Sequence, residues 1–199
     1  MRFWSSYIQT SGSPKSHTIA PINEPANSRA FSDFGPPAPL SEEGATRLLK
    51  YMNGVVSRVE AANPNISVMF EGSFKGEEYW SGSFSKDTSI VFDLHHHYLA
   101  APGATPEKLS EYLWADELAS PGDAKFPVFV GEWAIQAAED NTLVNRDENL
   151  NMGLRAWKKY ARGSSYWTAR FFGDVEVVGE AITIRRVLEL WVFCKYGYD

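Results

Sequence analysis

An α/β fold built on a parallel sheet is predicted by three features of this sequence. Apolar runs of strand length alternate with helix-period segments along most of the 199 residues, the order that gives parallel strands joined by right-handed crossovers. One run, Phe126 to Ile135 (FPVFVGEWAI), places five apolar residues before a glycine, the pattern of a strand buried on both faces. It ends in Gly131-Glu132-Trp133, and a second predicted buried strand, His17 to Ile22, ends in Asn23-Glu24-Pro25. Ionised carboxylates are costly in apolar surroundings without a partner. Each glutamate is therefore either a salt-bridged structural group or a working group at the rim of a pocket.

The elements follow in order. Residues 1–16 are polar and broken by Gly12 and Pro14. After the first strand, Ala26 to Leu40 carries Gly35, Pro36, Pro37 and Pro39, a long loop on the side where the strand ends. Ser41 caps a helix with Glu42 and Glu43 in its first turn, and Ala45, Leu48, Leu49, Met52, Val55, Val56 and Val59 recur at helical spacing until Asn63-Pro64-Asn65. Ile66 to Phe70 reads as a strand ending in Glu71-Gly72. A polar, aromatic loop follows through Tyr79, Trp80 and Phe84, a short connection that a helical turn would also suit. Ile90 to Phe92 opens a strand running into Asp93-Leu94-His95-His96-His97-Tyr98. Pro106 at a first-turn position after Thr105 predicts another helix, with Leu109, Tyr112 and Leu113 on one face. The strand Phe126 to Glu132 is followed by a loop with Glu139, Asp140 and Asn141, then by a helix from about Arg146 to Ala161 that Gly163 stops. Ser165-Tyr166-Trp167-Thr168 starts a fifth strand. No internal repeat is visible.

Composition bounds the function. With 44% hydrophobic and 22% charged residues the chain can bury a sizeable core as one domain, and its net charge of -6 with no Lys/Arg cluster argues against a nucleic-acid partner. Aromatics make up 14%, with seven tryptophans, side chains that stack on sugar rings but also fill cores. Cys194 is the single cysteine, which excludes an internal disulfide and a multi-cysteine metal site. No apolar run reaches membrane-span length, and the first ten residues lack the features of a secretory signal.

Four motifs together resemble glycoside hydrolase family 5, in particular the fungal glucanases of that clan A family of retaining β-glycosidases. They are Asn23-Glu24-Pro25 at a strand end, the Asp-x-His-x-aromatic run at Asp93 to Tyr98, Gly131-Glu132-Trp133 at a strand end, and Tyr166-Trp167-Thr168 on the last strand. The resemblance spans about His17 to Val178. It implies a (β/α)8 TIM barrel with its active site at the C-terminal ends of the strands. It also implies Glu24 as acid/base, Glu132 as nucleophile, Asn23 as donor to the sugar 2-hydroxyl, and Trp167 as the floor under the sugar, core packing being the alternative for Trp167. The implied substrate is a polysaccharide or oligosaccharide with β-glucosidic bonds, a β-glucan for preference. No cofactor and no membrane partner are implied, and the location is extracellular as for the fungal relatives.

The histidine run leaves two registers open. Alternation along a strand puts His95 and His97 on one face and His96 and Tyr98 on the other. In the family a His-x-Tyr pair orients the catalytic carboxyls. Counting from Asp93 selects His95 and His97, matching letters selects His96 and Tyr98, and we favour the first with Tyr98 as a further contact. A zinc site is the competing reading, since His-x-His on a strand is a ligand spacing, but no cysteine or further histidine is placed to complete it.

Placing His17 to Ile22 at the family's strand four makes the chain about strands four to eight of eight, the C-terminal part of a catalytic domain, with a divergent tail at 179–199. The family's strand-two arginine and strand-three site residues have no counterpart. An unclosed sheet has two edges, so self-association is expected. The alternative reading of function is a truncated, catalytically inactive carbohydrate-binding fragment.

Overall fold

A computed structural model describes residues 17–28, 30, 38–98, 103–135 and 143–167, with the backbone alone at 117 and 143–146. The expected loop acids Glu139 to Asn141, Thr168 and the tail at 179–199 lie outside the described residues. Among the described residues five strands alternate with four helices: β1 (Thr18–Ile19), α1 (Glu42–Ala62), β2 (Ser67–Glu71), α2 (Gly76–Ser81), β3 (Ile90–His96), α3 (Leu109–Ala119), β4 (Val128–Trp133), α4 (Leu143–Tyr160) and β5 (Ser164–Tyr166). The strands follow one another in a single sheet, β1-β2-β3-β4-β5. Pairing is parallel, with Thr18 opposite Ser67, Phe70 opposite Phe92, Glu71 opposite Asp93 and Val130 opposite Ser164. Neighbours in sequence are thus neighbours in the sheet, the order of a singly wound β/α array.

The chain divides into two compact units, residues 1–94 with 120–129 and residues 95–119 with 130–199. In the first unit α1 follows directly from its sequence. The Ser41 hydroxyl accepts the Gly44 N–H at 3.1 Å, and Asn63 ends the helix by donating its backbone N–H to Val59. The buried stripe Ala45, Leu48, Met52, Val55 and Val59 packs on Val68 and Phe70 of β2 and on Phe92 of β3. Burying each of the larger side chains contributes about 1.5–3 kcal/mol. Phe70, Phe84, Phe92 and Phe126 form a chain of ring contacts at 5.5 to 6.4 Å.

Two local expectations need correction here, and one alternative left open is decided. The strand expected over His17 to Ile22 pairs only at Thr18 and Ile19, and Thr18 is exposed, so it is not a buried strand. Pro21 has no N–H for a ladder, and this limits the strand. The connection after β2 contains a true helix, α2. Trp80 makes it so, burying all but 2% of its surface against Phe70 while its indole N–H donates to the Gly72 carbonyl at 2.9 Å. The helix expected from Pro106 starts at Leu109. Residues 106–108 form a turn, in which Lys108 N–H donates to the Thr105 carbonyl.

A polar knot holds the entry to β4 in this same unit. Glu77 accepts the Asp123 N–H at 2.9 Å, Asp123 accepts the Ser81 hydroxyl at 2.6 Å, and Lys125 donates to the carbonyls of Ser81 and Phe84. Gly122 sits at φ 53°, where a Cβ would lie 2.1 Å from Glu77 Oε2. Burial, and then the hydrogen bond to Asp123, raise the pKa of Glu77, while the Ser81 hydroxyl and the Lys125 N–H lower that of Asp123.

The second unit is built around Trp133, Trp157, Leu109, Leu113, Val130, Ile135 and Leu150. β4 alternates buried and half-buried residues instead of being buried on both faces throughout. Trp133 contacts Tyr166 edge-on at 5.0 Å and Trp157 at 6.4 Å, and Gly153 of α4 faces it so closely that a Cβ would stand 2.3 Å from the indole.

Two outcomes follow. Gly153→Ala forces Trp133 or α4 to move and should cost about 1–3 kcal/mol, read as a lower urea midpoint. Glu77 binds its proton more tightly in the fold than in the unfolded chain. Its contribution is therefore complete below the ordinary value of 4.5 and is lost as the pH rises through the raised value. Melting curves of Glu77→Gln, which is neutral at every pH, should gain on the native protein as the pH is raised from acid to neutral.

Candidate active site

Each unit brings predicted residues to the C-terminal ends of its strands. In the first, the chain leaving β1 is anchored on α1 from both sides of Asn23 and Glu24. The Tyr51 hydroxyl donates to the Pro21 carbonyl at 3.1 Å, and Asn27 accepts the Ser41 N–H at 2.9 Å while donating to the Pro39 carbonyl. Asn23 is exposed and Glu24 half-buried. Glu24 has φ 40°, a left-handed conformation that costs a non-glycine residue on the order of 1 kcal/mol or more. Ser73 and Phe74, just past β2, share it at φ 54° and 61°. Three of the four described non-glycine residues in this conformation thus follow the ends of β1 and β2. Two further acids are buried here, Glu71 at the end of β2 and its register partner Asp93 in the middle of β3, and Glu71 accepts the Phe74 N–H at 3.4 Å.

In the second unit the end of β3 divides its side chains between two acids. His95 Nδ1 lies 3.8 Å and His97 Nε2 3.1 Å from Glu132 Oε2, at the end of β4. On the opposite face His96 Nδ1 lies 3.2 Å from Asp116 Oδ2 of α3, and the Tyr98 hydroxyl donates to the same oxygen at 2.7 Å. The His96 ring stacks on Trp157 of α4 at 4.9 Å, and Tyr98 stacks on Tyr112. Burial works to raise the pKa of Asp116, but the hydrogen bond and charge of His96 and the Tyr98 hydroxyl outweigh it and hold the carboxyl below the ordinary range. Burial, and then the adjacent Asp116 charge and hydrogen bond, push the Tyr98 phenol well up.

His95 and His97 are therefore the pair that meets Glu132. Tyr98 is 5% exposed with its hydroxyl committed to α3, on the face of the strand away from that glutamate. Sequence reasoning missed Asp116, which carries no motif; its position on α3 opposite the second histidine face is set by docking alone. Glu132 is half-buried, with 17% of its side chain exposed, beside His95 at 1% and His97 at 22%. Trp167 follows β5, donates its N–H to the Trp133 carbonyl at 2.9 Å and is 56% exposed, so it is a surface aromatic and not a core residue.

A parallel β/α array with acids at its strand ends is the arrangement of the TIM-barrel glycoside hydrolases, and known proteins agree. The chain is similar to the rutinosidase of Aspergillus niger, with 51% identity and a TM-score of 0.80 over 86% of this chain and 48% of that one. It is 29% identical over 92 residues to a probable glucan 1,3-beta-glucosidase of Arthroderma benhamiae, covering 43% of this chain and 21% of that protein. A GH5-4 broad-specificity endoglucanase from Bacteroides salanitronis shares the fold at a TM-score of 0.52 and 14% identity, over 84% of this chain and 53% of that one. No protein-family model matches the chain.

The fold is that of an incomplete (β/α)8 barrel, and the proteins it resembles are glycoside hydrolases. The chain spans about half the length of the rutinosidase it matches.

Removing the Asp116 carboxylate leaves the buried Tyr98 hydroxyl without its acceptor and His96 without its charge partner. Asp116→Ala should cost about 1–3 kcal/mol in thermal or urea unfolding.

Proposed function

We propose that this chain carries the two catalytic carboxyls of a retaining β-glycosidase that cleaves β-glucosidic bonds. The observation that supports it best is Glu132 at the end of β4, one oxygen engaged by His97 at 3.1 Å and flanked by His95. With Oε2 so held, the carboxylate is oriented as a nucleophile, and Oε1 is the atom assigned to attack the anomeric carbon. Glu24 is the acid/base: it protonates the leaving oxygen, then takes a proton from the water that releases the sugar. Such a double displacement needs the two carboxyls roughly 5–5.5 Å apart. Asn23 donates to the 2-hydroxyl, where hydrogen bonding strengthens in the transition state, and Trp167 offers its exposed face to the sugar.

Identity to the rutinosidase favours a rutinoside, cut at its β-glucosidic bond, as the substrate. A β-glucan is the second reading, on the weaker likeness to the glucosidase. The location proposed is extracellular; no described helix is long and apolar enough to cross a membrane. Self-association through the exposed Thr18 edge belongs to the same proposal.

Hydrolysis of rutin and of β-1,3-glucan by the chain, followed by proton NMR of the first-formed anomer, tests the reading; an inverted product or sugar binding without release defeats it. Glu132→Gln should lower kcat by at least about 10³-fold, and Glu24→Gln by roughly 10²- to 10⁴-fold. With azide as external nucleophile, Glu24→Ala should yield the β-glycosyl azide and Glu132→Ala the α. The reverse pattern would exchange the two roles.

A further inference from the structure

The chain holds a single Asn-x-Ser/Thr triplet whose middle residue is not proline, Asn65-Ile66-Ser67. Such triplets accept asparagine-linked sugar in proteins that pass through the secretory route. The triplet alone is a common pattern, and the fold adds where it lies. Asn65 is exposed in the short turn that joins α1 to β2, at the start of β2 and so at the opposite end from Glu71. β1 runs parallel to β2, so Glu24 also follows that opposite end. The five residues of β2 separate the two ends by about 16 Å.

The turn fixes its backbone without using the acceptor side chain. Asn63, buried at the end of α1, accepts the Asn65 N–H on Oδ1 at 3.0 Å and the Ile66 N–H on its carbonyl at 3.2 Å. Among the described residues the Asn65 carboxamide makes no hydrogen bond, so modifying it breaks none. Ile66 is buried, and the Ser67 hydroxyl lies 2.9 Å from that of Ser89. The triplet is therefore closed to a transferase once β2 has paired with β3, and the sugar is added before that. The native fold has only to leave room for the product, which the exposed turn of Pro64 and Asn65 does.

We infer that Asn65 is an N-glycosylation site. The inference rests on the extracellular location proposed above and not on the catalytic roles. Asn65 Nδ2 bonds to the anomeric carbon of an oligosaccharide carried on a lipid pyrophosphate. The bond from that carbon to the phosphate oxygen breaks, the pyrophosphate leaves with the electron pair, and the nitrogen loses one proton. Ser67 supplies the hydroxyl that the transferase reads.

Secretion of the full chain from yeast under a supplied leader, then peptide-N-glycosidase digestion in heavy-oxygen water and peptide mass spectrometry, tests the site. Asn65 should be recovered as labelled Asp in most secreted molecules, with a matching drop in mass on a gel. Asn65→Gln and Ser67→Ala should abolish both signals, while Ser67→Thr and the exposed α1 variant Asn53→Gln should keep them. Should Asn65→Gln not be secreted, Ser67→Ala and the native peptide decide. An unlabelled Asn65 in the secreted native chain, or label that survives Ser67→Ala, overturns the site. Because the leader is supplied, this result does not depend on where the chain naturally goes. Label at Asn65 together with an unmodified chain inside cells of its source defeats the extracellular location and leaves the site. Label in a chain that cleaves no glycoside defeats the hydrolase reading alone.

Discussion

The two-residue repeat at the end of β3 is the constraint on which the second unit depends. Four consecutive polar residues, His95 to Tyr98, cannot all face one way on an extended chain, so each acid receives two of them. Asp116 takes His96 and Tyr98 on the helical side, and Glu132 takes His95 and His97. A slip of one residue would exchange the two sets. The stack of His96 on Trp157 and the burial of Tyr98 oppose that slip, so packing on the helical face sets which imidazoles reach the glutamate.

In the first unit the support is of another kind. Glu24 lies beyond a strand of two residues, and no long ladder holds it. Its segment is instead tied to α1 by Tyr51 on Pro21 and by Asn27 on Ser41, the residue that caps the helix. The same serine therefore ends the loop and starts the helix. Such ties hold the left-handed backbone at Glu24, as the Glu71 carboxylate does at Phe74, and strain of this sort gathers where side chains are aimed.

Much of this was legible in the residues. The α1 stripe follows from apolar spacing and a capping serine. Glu24 and Glu132 stand out as charges at the ends of apolar runs, and the alternation of the histidine run follows from strand geometry. Other features were not legible. Pro21 truncates β1, a break that an apolar run conceals. After β2 the residues left loop and helical turn both open, because so short a segment shows less than two turns of period, and the burial of Trp80 decides for a six-residue helix. Asp116 has no motif, and its role arises only when α3 docks beside β3.

By itself, then, the sequence determined the order of the elements, the faces of α1 and β3, and the acids at the strand ends, since each depends on local backbone geometry and on which side chains avoid water. Only the tertiary structure decided which acid each histidine face meets, that Tyr98 is spent on α3, and that Trp167 is exposed. Those outcomes are set by how helices dock and strands register, which bring together residues far apart in the chain through contacts that no local pattern encodes.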